Sequence, residues 1–147
     1  MTNNNRIRAI ALCVLQQHDM IFVTEYIDPT SGNPYYRPLG GGIEFGEYAL
    51  DAIQREFQEE IKADLCDIQF IGVLENIFER DGNMGHQICM MFRATFVEAE
   101  RNDLDYRVVG TEEHETFNAM WKPLQMFRDG EAPLYPDNLL QMIENLA

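Results

Sequence analysis

Residues 6–15 (RIRAIALCVL) are apolar at almost every position, which predicts a buried strand. A polar turn at 16–19 and a second apolar run at 20–27 (MIFVTEYI) complete a predicted hairpin. Residues 28–34 (DPTSGNP) are dense in turn formers and predict a loop, and 35–39 a short edge strand. Strands are expected at 68–78 and 88–97, split by a loop at 79–85, and at 117–121. A polar loop is expected at 101–115, a helical turn at 123–127, and a last helix at 137–146 capped by Asp137.

The period changes at residues 48–62. Leu50, Ile53, Phe57 and Ile61 recur at spacings of three and four, so at ~100° per residue they share one face of a helix. Hairpin, helix, strands and helix in this order predict an α/β (α+β) domain, an α/β/α sandwich with a mixed sheet between helices. Without internal repeats or linkers, residues 1–147 are expected to form one domain.

Glu56 and Glu60 project beside one edge of the apolar stripe, and Glu59 lies further out, four residues after Arg55. Like charges on one helix face repel. Either the face is solvated or a cation holds the carboxylates together. Hard divalent cations take such oxygen ligands together with waters and phosphates. The glycines at 40–42 allow a sharp turn and a close backbone approach just ahead of the helix.

A formal net charge of −14 argues against a nucleic-acid backbone or an anionic membrane surface as partner. No run approaches the ~18 apolar residues of a membrane span. Residues 1–6 are polar and no leader-like apolar run follows, so a cytoplasmic protein with reduced Cys13, Cys66 and Cys89 is expected. His18, His86 and His114 lack partners at metal-ligand spacing, and no EF-hand loop occurs.

Gly41, Glu47 and the run Arg55, Glu56, Phe57, Gln58, Glu59, Glu60 stand in the register of the Nudix box, so the chain resembles the Nudix hydrolases. The preceding hairpin, RPLGGG and the late WKPL extend the likeness over most of the chain. Phe57 replaces an aliphatic residue, Lys62 the usual Gly, and Ala63 a larger aliphatic.

The resemblance implies a metal-dependent pyrophosphohydrolase. It would use Mg²⁺, with Mn²⁺ as substitute, and cleave a nucleoside diphosphate linked to another moiety by water attack on phosphorus. The substrate would be of nucleotide, nucleotide-sugar or ADP-ribose type. The implied metal ligands are Glu56, Glu60, Glu59 and the Gly40 carbonyl. Glu59, Glu56, Arg55 and Glu47 form the catalytic set. Arg37, Gly41, Gly42 and Glu115 are candidates for substrate contact, with Glu112 and Glu113 as further late-loop acids. Tyr26, Tyr35, Tyr36, Phe78 and Trp121 could stack on a base or fill the core, and Arg37 and Arg80 could grip a phosphate or be solvated. Family habit would allow a homodimer. The rival is a non-catalytic nucleotide-binding or sensor module of the same fold.

Overall fold

The computed structural model describes residues 5–146, so what was expected of residues 1–4 and 147 lies outside the described residues. β1 (Ile7–Gln17), β2 (Met20–Ile27), β3 (Pro34–Arg37) and β4 (Leu39–Gly42) precede α1 (Ala49–Ile61). β5 (Leu65–Arg80), β6 (Asn83–Phe96), β7 (Arg107–Glu112), β8 (Glu115–Pro123), α2 (Leu124–Arg128) and α3 (Leu139–Glu144) follow. The architecture is mixed α+β, a large mixed sheet with few helices, as the periodicity predicts.

β1 explains its own apolar run. Ala11, Cys13 and Leu15 join the core under α1, while Ile10, Leu12 and Val14 join a second core under α2 and α3. Alternate side chains of a strand point to opposite faces, so a strand covered on both sides must be apolar throughout. β1 and β2 form a hairpin only at its tip, where Gln16 faces Ile21 and Gln17 faces Met20. Beyond it β1 runs parallel to β6 and antiparallel to β4, and β2 pairs with β8 and β3.

Four expectations are corrected. Residues 101–115 are not one loop, because β7 pairs with β8 from Arg107↔Met120 to Glu112↔Glu115. Within it only Gly110 is fully buried, so its side chains carried no strand signal. The loop at 79–85 is a tight turn, since β5 and β6 pair as far as Arg80↔Asn83. Leu50 is 46 % exposed, and the buried face of α1 is Ala52, Ile53, Phe57, Ile61 and Glu60. Asp137 does not cap the last helix; Asn138 precedes it in left-handed conformation, without a side-chain cap.

α1 ends where the box predicts. Lys62 adopts φ 57°, ψ 36°, the left-handed turn that glycine tolerates best. Arg101 closes this terminus from a distance, donating Nη1 to the Ile61 carbonyl at 3.1 Å and Nη2 to the Lys62 carbonyl at 3.2 Å. A left-handed non-glycine costs roughly 1 kcal/mol. Lys62→Gly is therefore expected to raise Tm by ~2–4 °C in calorimetry. An unchanged or lower Tm would show that Lys62 contributes contacts that offset its backbone.

Candidate active site

The site is assembled from the glycine strand and the acidic edge of α1. Gly40 has φ +151°, and a Cβ there would stand 1.9 Å from the Ala11 carbonyl oxygen. That contact seats β4 on β1. A Cβ on Gly41 would lie 2.5 Å from the Glu56 carboxyl carbon, and one on Gly42 would lie 2.6 Å from Arg8 Nη2. The absent side chains bring the Glu56 carboxylate and the Arg8 guanidinium against bare backbone.

Arg55 ties the loop to the helix. It donates Nε to Glu47 Oε2 at 2.8 Å and Nη2 to Glu47 Oε1 at 2.9 Å, a bidentate pair across eight residues. Nη2 also reaches the Gly42 carbonyl at 3.0 Å, and Nη1 reaches Glu56 at 2.9 Å and Glu59 at 3.2 Å. The Glu47 carboxylate further accepts the Glu44 N–H at 3.1 Å. Hydrogen bonds from Arg55, and then from that N–H, hold the Glu47 pKa down to about 2, and the Glu47 pairing pushes Arg55 up. Glu47 and Arg55 are thus brought together as a strut beneath Glu56 and Glu59.

Glu60 sits differently. It is only 6 % exposed, and its Oε2 is buried without a hydrogen-bond partner among the described residues. Burial raises its pKa, and the carboxylates of Glu112 and then Glu56 raise it further. Three carboxylates from α1 and β7 therefore meet, with no cation in an ion pair with Glu60 among the described residues and only the Arg37 charge acting on it from a distance. Among the described residues, no group of three or more His, Cys, Asp or Glu side chains closes to metal-holding geometry. The acids converge here without enclosing a finished shell, and Arg55 occupies one side of Glu56.

An open cleft of about 1210 Å³ runs from these acids over the sheet. Gly41, Gly42, Glu56, Glu59, Glu60 and Arg37 line it. Gly40 is buried behind Gly41, and Glu115 does not line the cleft. Of the late acids, Glu112 and Glu113 line it, and Glu112 is the one that acts on Glu60. Glu112 and Glu115 face each other across the β7–β8 turn, so sequence adjacency could not choose between them.

Arg37 is not a solvated arginine. Its side chain is 21 % exposed, its Nε is buried without a partner, and Nη2 donates to the Tyr26 hydroxyl at 3.3 Å. Tyr26 stacks on Tyr35 with centroids 5.3 Å apart, and Tyr35 meets Tyr135 edge-on at 5.8 Å. These three rings and Phe78 border the cleft, whereas Tyr36 and Trp121 belong to the core. Tyr135 and Arg8 were missed in the sequence, where nothing marks their distance from the box.

The fold agrees with the comparisons. The NUDIX domain family model matches residues 5–143, so the chain belongs to the NUDIX family and is a Nudix hydrolase. No curated protein matches. Among solved structures, a NUDIX hydrolase from Nitrosomonas europaea is similar at TM-score 0.66 and 19 % identity, covering 96 % of this chain and 88 % of its own. A MutT NUDIX hydrolase from Burkholderia pseudomallei follows at TM-score 0.57 and 18 % identity, over 82 % and 86 %. A structure titled as an ADP compounds hydrolase is similar at TM-score 0.61 and 14 % identity, over 97 % and 74 %.

Proposed function

We propose that the enzyme, acting as one domain over residues 1–147, hydrolyses a phosphoanhydride bond in a small nucleoside diphosphate derivative. The observation that carries this is the orphaned Glu60 Oε2, buried against Glu56 and Glu112 at the edge of the cleft. A buried carboxylate oxygen without a donor, beside two further carboxylates, fits a hard divalent cation, Mg²⁺ or Mn²⁺. Glu56 and Glu60 would hold it, with Glu59, Glu112 and the Gly40 carbonyl as further donors. When bound, such an ion neutralises diphosphate charge and lowers the pKa of a ligated water.

The chain's own groups do the rest. Arg55 fixes the Glu56 carboxylate and is itself held by Glu47. Glu59, bordering the cleft and 59 % exposed, is placed to take the proton from the attacking water. Arg37, with a buried and unpartnered Nε, is placed to bind a phosphate oxygen. Glu115 is dropped as a substrate contact in favour of Glu112 and Glu113. The neighbour titled as an ADP compounds hydrolase supports substrates of that kind. Free Cys13, Cys66 and Cys89 suit a reducing compartment such as the cytoplasm.

The test is phosphate release from nucleotides, nucleotide sugars and ADP-ribose, coupled to a phosphatase, with Mg²⁺, Mn²⁺ or EDTA. One substrate class should turn over with metal and stop with EDTA. Glu59→Gln should cut kcat by about 10²–10⁴-fold while nucleotide binding persists. If no substrate turns over, yet nucleotides with metal raise the melting temperature, hydrolysis is refuted and the binding-module reading takes its place.

A further inference from the structure

A row of polar side chains crosses three strands on the floor of the cleft. Asn76 on β5 faces Gln87 on β6, and Gln87 faces Arg8 on β1. All three line the cleft. Asn76 and Gln87 are each 7 % exposed, two of the four buried polar or charged residues among those described. The neighbouring cross-strand pairs are Phe78 with Gly85 on one side and Leu74 with Cys89 on the other.

The two amides satisfy each other only in part. Asn76 Nδ2 donates to Gln87 Oε1 at 3.3 Å. The other two groups, Gln87 Nε2 and Asn76 Oδ1, make no hydrogen bond among the described residues, and neither is one of the fully buried unpartnered atoms, so both open to the cleft. The pair thus keeps one donor and one acceptor free toward the cleft, where two apolar residues of the same shape would offer neither. A free donor and acceptor held in register on the cleft floor point to a ligand.

Side by side, the pair presents one donor and one acceptor in fixed register. The pairing edge of a nucleobase offers the complement, an acceptor next to a donor. The flanking wall suits a flat ring. A Cβ at Gly85 would lie 2.2 Å from the Phe78 ring, so the missing side chain lets that aromatic lie across β6. Arg8 connects this floor to the phosphate end. Its guanidinium abuts Gly42 and, among the described residues, makes no ion pair, in a chain of net charge −14.

We propose that Asn76 and Gln87 read the edge of the substrate's nucleobase, with Phe78 as its wall and Arg8 bridging to the adjoining phosphate. This rests on the proposed function insofar as the diphosphate lies at Glu56 and Glu60. It goes further in naming the specificity-determining pair. Sugar hydroxyls alone would need neither the flat wall nor a paired donor and acceptor.

Calorimetric titration tests this with α,β-methylene analogues of ADP, GDP, CDP and UDP in Mg²⁺. Ribose 5-(α,β-methylene)diphosphate serves as the base-free probe. Wild type should bind at least one nucleotide more tightly than that probe. The double variant Asn76→Leu/Gln87→Met should shrink the advantage at least tenfold while its Tm stays level or rises. An undiminished advantage, or no base preference in wild type, overturns the proposal, as does a falling Tm with the preference intact. Should the double variant not fold, Gln87→Glu keeps the volume and turns the donor into an acceptor, with the same expected loss. Base-dependent binding without turnover of any substrate would sink the hydrolytic function and leave this subsite standing. Turnover without base preference would do the reverse.

Discussion

Glu60→Gln is expected to abolish turnover and, at the same time, to stabilise the protein in EDTA. Burial and the Glu112 and Glu56 carboxylates together raise the Glu60 pKa above its ordinary 4.5. Above that pH an unfolded chain has released the Glu60 proton while the folded chain still holds it. The folded state then binds more protons, so raising pH lowers stability. Wild type in EDTA should therefore lose Tm from about pH 5 to pH 8 more steeply than Glu60→Gln, which carries no proton to lose. At pH 8 the variant should melt several degrees higher, since about 1 kcal/mol moves Tm by ~2–4 °C at this size.

Saturating Mg²⁺ should raise the wild-type Tm and have little effect on the variant, because a ligand that binds only the folded state stabilises it. Turnover should fall by at least ~10²-fold. Equal pH slopes in wild type and variant would show that Glu60 is not the strained group. Retained turnover would remove it from the catalytic set.

The adjacent glycines should separate fold from function. Gly40→Ala places a methyl 1.9 Å from the Ala11 carbonyl oxygen, at a φ of +151° that L residues rarely adopt. Backbone cannot yield as a side-chain tip does, and the β4–β1 pairing from Ile10↔Gly42 to Cys13↔Leu39 would be pried apart. A loss of roughly 3 kcal/mol or more is expected, seen as a Tm drop of ~6 °C or insoluble protein.

Gly41→Ala meets the Glu56 carboxylate instead, at 2.5 Å from Cδ. That side chain can swing, so the fold should survive while the acidic cluster is displaced, with kcat down about 10²-fold. Gly42→Ala meets the free end of Arg8 and should leave Tm within ~1 °C of wild type. Circular dichroism melts and the phosphate-release assay on all three variants check the order. A soluble, fully stable Gly40→Ala protein would contradict the geometry of β4.

The legible part of the site was the part built on one element. Glu56, Glu59 and Glu60 lie within one turn and a half of α1, so helical periodicity alone put Glu60 at the edge of the apolar stripe and Glu59 outside it. The box marks that end of the helix, but only the structure decided that Lys62 turns left-handed there and the helix does not run on. β1 was legible because both its faces are buried. β7 was not. It pairs through its backbone at the sheet edge, and N–H···O=C bonds leave no trace in side-chain type.

What the sequence determined by itself is the chemistry of α1 and the loop before it, where neighbours in space are neighbours in the chain. Tertiary structure alone decided that Glu112 and not Glu115 joins Glu60, and that Arg101 closes α1 from forty residues away. It also decided that Arg8, Gln87 and Asn76 form one row. A strand pair shifted by one residue turns every side chain to the opposite face. Such a register is set by packing over the whole sheet, so residues brought together by it remain unrelated in the sequence.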